Sequence, residues 1–309
     1  MNIRDKGQPL LSICMPTNGV IDWVFPVLDS IYNQGVDIAF FEVVITDNGN
    51  NEEFKKLIKE YLKSHANIVY AETQALPFVN EIEAYKRANG KLIKYVNHRT
   101  KLVFGTLQRM IDYVEHNYDE KPVTYFANGV LEISKDKHEY NSFDDFVRNL
   151  SYWSSWSTGM TIWKEDFDRL PEDVSKFNEL FPHTNVLFNE RNRGKYVIDN
   201  SIIFDEMPQG KKPKGNYDLF FAFGVDYPGI ILDLLRSKSI SVATYKKVVS
   251  DNLSFVSSLY YQYFIKKEYC SYDLSGIESM YDVFYTKLEF KLRIVSLGIN
   301  KIKRKIFGK

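Results

Sequence analysis

Within the first 130 residues, short apolar runs alternate with helical stripes, and each run stops at a polar turn. Residues 10–15 end at Pro16-Thr17-Asn18-Gly19, residues 41–46 at Asp47-Asn48-Gly49, and residues 91–96 at Asn97-His98-Arg99-Thr100. Short apolar runs bounded by Pro, Gly and Asn read as buried strands. Between them, Val24, Val27, Leu28 and Ile31 mark one face of a helix over 21–33, with Pro26 in its first turns. Phe54, Leu57, Ile58, Tyr61 and Leu62 mark another over 52–64. Further strands are expected at 67–71 and 123–126, and helices at 79–89 and 106–117. This alternation predicts an α/β fold with a mainly parallel central sheet flanked by helices. Ligands of such sheets bind outside the carboxyl ends of the strands, so the loops at Pro16, Asp47 and Asn97 should converge.

The rhythm changes after about residue 140. A helix over 142–153, a polar loop over 154–159, a strand over 160–163 and a short strand over 196–198 are expected, then helices from 218 with a break at Tyr227-Pro228. Residues 1–215 read as one α/β domain, with halves over 1–100 and 101–215. Residues 216–309 read as a helical C-terminal region.

Lys+Arg and Asp+Glu each number 40, which leaves no net charge and argues against a nucleic-acid binder. Cys14 and Cys270 are far apart and form no metal-ligand spacing, the pattern of a reduced, cytoplasmic compartment. The N-terminus lacks signal-peptide architecture, and no apolar run is long enough for a membrane span.

Three segments carry a family resemblance: Ser12-Ile13-Cys14-Met15-Pro16-Thr17-Asn18, Leu28-Asp29-Ser30-Ile31-Tyr32-Asn33-Gln34, and Phe41-Glu42-Val43-Val44-Ile45-Thr46-Asp47-Asn48-Gly49. Together they resemble the start of glycosyltransferase family 2, specifically over residues 9–130. Gly159-Met160-Thr161-Ile162-Trp163 resembles that family's acceptor-side loop and strand. The nearest subgroup is the abequosyltransferase-like one among bacterial surface-polysaccharide enzymes, which build capsules and O-antigens. The resemblance implies the GT-A fold and an inverting transfer from a nucleotide-sugar, with UDP as the leading donor, to a saccharide or lipid-linked oligosaccharide. It places Pro16 and Thr17 along the nucleotide, Asp47 on its base or ribose, and Asn80 in the same site. Asp47 read alone is an Asx turn, and Asn80 read alone is a helix cap.

The family's metal-binding aspartates follow the fourth strand. Here Asn97, His98, Arg99 and Thr100 fill that place, between a kept strand and a kept Lys101-Leu102. Hard divalent cations such as Mg or Mn prefer several oxygen ligands, chiefly carboxylates, and this turn offers none. Arginine binds phosphate oxygens bidentately and stays charged. Arg99, with His98, is therefore expected to hold the leaving diphosphate without a required metal. A softer metal on His98 and His183 is the lesser alternative. The base that deprotonates the acceptor is expected at His183, at the start of a helix near Pro182, with Glu179 and Asp173 as alternatives. Trp153, Trp156 and Trp163 are candidates for stacking on sugars.

Leu288, Leu292, Val295, Ile299, Ile302 and Ile306 recur at helical spacing in a segment holding eight basic residues and one acid, Glu289. That pattern suggests a helix on an anionic membrane surface, which would make the protein peripheral on the inner face of the cell membrane. Packing on the main domain and a homodimer contact are the alternatives. For the whole chain, the competing reading is a degenerate transferase acting as a partner subunit or saccharide-binding module. A nucleotidyltransferase is disfavoured, because no glycine-rich phosphate loop lies near the N-terminus.

Overall fold

The computed structural model describes residues 7–133, 136–171, 176–208 and 215–307, with side chains through residue 299. The chain divides into two compact units, 1–146 with 154–207, and 147–153 with 208–309.

The first unit opens with β1 (Leu11–Thr17), α1 (Ile21–Tyr32), β2 (Phe41–Asp47), α2 (Glu52–Tyr61), β3 (Ile68–Glu72), α3 (Asn80–Arg87) and β4 (Leu92–Tyr95). It continues through β5 (Thr100–Leu102), α4 (Thr106–Asn117), β6 (Val123–Phe126), β7 (Lys137–Tyr140) and α5 (Phe143–Leu150), the last of which carries the chain into the second unit. After the chain returns come β8 (Thr161–Trp163), α6 (Lys164–Phe167), α7 (Pro182–Asn189), β9 (Tyr196–Asp199) and β10 (Phe204–Glu206).

The main sheet has the order β3-β2-β1-β4-β8. Its first four strands are parallel and β8 is antiparallel to β4. β1 and β2 are buried almost end to end, which explains their uninterrupted apolar runs. The core beneath them joins Leu11, Ile13, Val43 and Ile45 to Val24, Val27, Leu28 and Ile31 of α1 and to Phe54 and Ile58 of α2. Pro26 sits within α1 without ending it.

The expected α/β alternation holds through residue 126, with element ends displaced by one to three residues. Three short strands escape the sequence reading. β5 pairs antiparallel with β10, bringing Glu206 opposite Thr100. β7 joins β6 and β9 in a third sheet, of order β6-β9-β7. β5, β7 and β10 hold too few apolar residues to stand out as runs.

The second unit contains α8 (Leu219–Phe221), α9 (Tyr227–Arg236), α10 (Val242–Tyr260) and α11 (Lys287–Phe307). Its own core joins Phe220, Leu253, Val256, Met280, Tyr285 and Phe290. No described helix is long and apolar enough to cross a membrane.

Candidate functional site

The turn after β4 is fixed by its own side chains. The Asn97 Oδ1 accepts from the Arg99 N–H at 3.0 Å, and the Asn97 carbonyl accepts from the Thr100 hydroxyl at 2.9 Å. The segment that follows is held by α1. Ser30 Oγ accepts from the Leu102 N–H at 2.9 Å, and Gln34 Oε1 accepts from the Gly105 N–H at 2.7 Å. Thus the Ser30-to-Gln34 run clamps the chain just downstream of Arg99.

The turn is also tied to the end of β1. Thr17 Oγ1 lies 2.7 Å from His98 Nδ1 and accepts the Gly19 N–H at 3.0 Å. The simplest proton assignment has the Thr17 hydroxyl donating to Nδ1, which leaves the proton of a neutral imidazole on Nε2. Burial, and then the Arg99 charge, push the His98 pKa down to about 4. His98 can therefore offer a ligand an N–H, while Arg99 alone brings charge. Trp23, on the first turn of α1, meets both side chains. Its ring is edge-on to His98 at 5.2 Å, and the Arg99 Cζ lies 5.9 Å from the Trp23 ring centre. The Arg99 Nη2 reaches Glu206 Oε2 at 3.8 Å, a loose pair at an exposed carboxylate. Neither Trp23 nor Glu206 carried a signal in the sequence.

The loops after β1 and β2 converge as expected. A Cβ on Gly49 would stand 2.1 Å from the Asn18 carbonyl oxygen, so only glycine permits this approach. Asp47 accepts from the Gly49 N–H at 2.8 Å and from the Tyr70 hydroxyl at 3.1 Å. It is 1% exposed, and burial raises its pKa. Pro16 pairs with Thr46 across the two strands and is half-buried. Asn80 is neither a free ligand group nor a helix cap. Its amide donates to the Thr46 carbonyl at 2.9 Å and the Thr17 carbonyl at 3.4 Å, and its Oδ1 accepts from the Thr73 hydroxyl at 2.7 Å. All its polar capacity goes into bracing the ends of β1 and β2.

His183 does start α7 as expected, but it is not exposed to a substrate. It is 4% exposed, its Nε2 donates to the Ser155 carbonyl at 2.9 Å, and its Nδ1 faces Glu81 Oε1 at 3.3 Å. The expectation of His183 as the base thus falls on a buried ring with both nitrogens turned to protein. The same holds for its place in a metal pair with His98. Glu179 is exposed on the loop entering α7, and Asp173 lies outside the described residues. Trp163 is core, with its Nε1 donating to the Pro122 carbonyl at 3.0 Å. Trp153 and Trp156 are half-buried.

Lys94, on β4 just before the turn, is fully buried. Its Nζ donates to the Thr158 carbonyl and, at 3.2 Å, to the Met160 carbonyl. It lies 5.1 Å from the Phe204 ring centre, and burial holds its pKa well below the usual lysine range. It secures the 157–159 turn, where a Cβ on Gly159 would overlap the Tyr125 ring.

The residues of the 97–100 turn do not fit a hard divalent cation. Asn97 Oδ1 and His98 Nδ1 are already engaged, Arg99 is cationic, and the turn has no carboxylate. Among the described residues, no three His, Cys, Asp or Glu side chains are grouped to hold a metal.

With loops converging at the carboxyl ends of β1, β2 and β4, the fold is of the GT-A type. Neither a family model nor a curated protein sequence matches the chain. In fold it is similar to residues 1-349 of S. aureus TarS, with a TM-score of 0.55 and 15% identity over 81% of this chain and 74% of that one. A second TarS structure gives a TM-score of 0.53 and 15% identity over 79% of this chain, which spans only 43% of that chain. TarS 1-349 in complex with UDP-GlcNAc gives a TM-score of 0.50 and 11% identity over 93% of this chain and 78% of that one.

Proposed function

We propose that the protein is an inverting glycosyltransferase that binds a nucleotide-sugar, UDP-linked first among them, and transfers the sugar to a saccharide or lipid-linked acceptor without a metal. The observation that carries this reading is Arg99. It is a cation held between Trp23 and Glu206 at the end of β4, where the GT-A fold receives a donor diphosphate. The fold likeness to a glycosyltransferase solved with UDP-GlcNAc supports it.

In this reading Arg99 exchanges Glu206 for diphosphate oxygens and stabilises the charge that develops on the leaving group. His98, neutral, adds its Nε2–H. Asp47 accepts from the nucleoside. Its burial means that the nucleoside reaches it by displacing the Tyr70 hydroxyl or the Asn48–Gly49 turn. Pro16 and the main chain after it line the nucleotide. Glu179, which is exposed where His183 is buried, takes the acceptor proton, and Trp156 offers a ring to the acceptor.

The test is UDP-sugar hydrolysis and transfer in EDTA, with Arg99→Ala and Glu179→Gln beside the parent protein. Turnover that survives EDTA and is lost in both variants supports the proposal. Turnover only with Mn²⁺ contradicts it. The second reading, a degenerate partner subunit or saccharide-binding module, is favoured by the pairing of Arg99 with Glu206 in place of a ligand. UDP binding without any sugar release from a panel of donors would support that reading instead.

A further inference from the structure

Helix α11 is amphipathic in two directions. One face belongs to the core of the second unit, where Phe290 is buried and Ile294 packs beside it. Arg293 donates to Ser250 Oγ at 3.1 Å from the same side. The other face carries Leu288, Leu292, Val295 and Ile299, which are 67, 60, 59 and 48% exposed. At 100° per residue these four fall within a sector of about 60°, a continuous aliphatic stripe turned to solvent.

The charge around this stripe is one-sided. Lys291, exposed, adjoins it. Lys287 lies 4.9 Å from the Tyr281 ring centre and pairs with Glu278 at 3.1 Å. The helix's one acid, Glu289, is used as a cap: it accepts from the Thr286 N–H at 2.9 Å and from the Thr286 hydroxyl at 2.7 Å. Thr286 Oγ1 in turn accepts from the Glu289 N–H at 3.2 Å, which completes a capping box. The sequence continues with Lys301, Lys303, Arg304, Lys305 and Lys309, beyond the described side chains. Eight basic residues less one acid leave +7 over 287–309 in a chain of zero net charge.

We propose that α11 lies in the interface plane of an anionic lipid bilayer, with Leu288, Leu292, Val295 and Ile299 entering the acyl boundary. Two features select this occupant. An exposed aliphatic stripe beside lysines is the surface that interfacial helices present. A second copy of the chain would bring +7 against +7, so self-association along this face is opposed by charge. The inference does not depend on the transferase reading, because it is measured as binding rather than turnover.

The experiment is co-sedimentation of the full chain with phosphatidylglycerol–phosphatidylcholine vesicles, with pure phosphatidylcholine vesicles as the comparison. Binding should require the anionic lipid and weaken as salt is raised from about 0.05 to about 0.5 M. The double variant Leu292→Glu/Val295→Glu should lose at least about tenfold in binding with unchanged circular dichroism, since both side chains are solvent-facing. Lys291→Ser should lose about fivefold, the equivalent of one basic group at such a surface. Equal binding by the double variant would overturn the proposal, as would a parent protein that binds no anionic vesicles. So would a parent dimer that the double variant converts to monomer while vesicle binding stays absent.

Discussion

His98 gives the sharpest physical prediction of the site. Its pKa is pushed down from 6.5 to about 4, first by burial and then by Arg99. In the unfolded chain it takes a proton near pH 6.5, and in the folded protein only near pH 4. Below pH 6.5 the unfolded state therefore binds more protons, and stability falls with acidification through that window. The full drop corresponds to about 3 kcal/mol. Partial exposure of the ring reduces this to about 2–3 kcal/mol. The groups facing the ring are the Thr17 hydroxyl, Trp23 and Arg99, and none of these loses or gains charge between pH 4 and 7. Urea unfolding of the parent protein and of His98→Gln, at pH 7 and about pH 4, isolates the term, because other groups cancel in the difference. The parent should lose about 2–3 kcal/mol more than the variant. A pH-independent difference, with a His98 ring resonance titrating near 6.5 by NMR, would refute the reasoning and make His98 a second cation of the site.

Three further outcomes are expected. Asn80→Ala removes three hydrogen bonds that brace the ends of β1 and β2, so urea unfolding should show a loss of about 2–4 kcal/mol. Glu206→Gln removes the carboxylate that competes for Arg99 and should tighten UDP binding up to about fivefold at low salt, as read by calorimetry, since such a pair is worth at most about 1 kcal/mol. Burial holds the Lys94 pKa well below its unfolded value, so the unfolded chain binds more protons and the parent should gain stability relative to Lys94→Met as pH rises towards 10.5. A flat difference in thermal or urea unfolding would mean that burial does not lower the Lys94 pKa.

The strand–helix frame was legible because each buried strand ends at a turn residue with a mechanical task. Asp47-Asn48-Gly49 closes an Asx turn that needs glycine against Asn18, and Ser30 and Gln34 clamp the chain after Arg99. The absence of acids at 97–100 was legible from the same frame. What the sequence hid is tertiary. Glu206 arrives on a three-residue strand, and Trp23 stands at the start of α1 beside the stripe of Val24, Val27, Leu28 and Ile31. The place of His183 at a helix start was readable, but its enclosure was not, because Glu81 and the Ser155 carbonyl come from distant segments. In α11 the 3–4 spacing announced a face without saying which way it points. Phe290 and Ile294, offset from the stripe, turned out to be the inner one.

In the proposed function a side chain, Arg99, replaces a cation beneath the donor diphosphate. The most direct test of this is calorimetric titration of UDP into the parent protein and into Arg99→Ala, each with EDTA and then with excess Mn²⁺. The parent should bind equally well in both conditions and the variant should lose at least about tenfold in both, the equivalent of one charge-assisted phosphate contact of about 1.5–3 kcal/mol. Binding that appears only with Mn²⁺ and is unchanged by Arg99→Ala would contradict it.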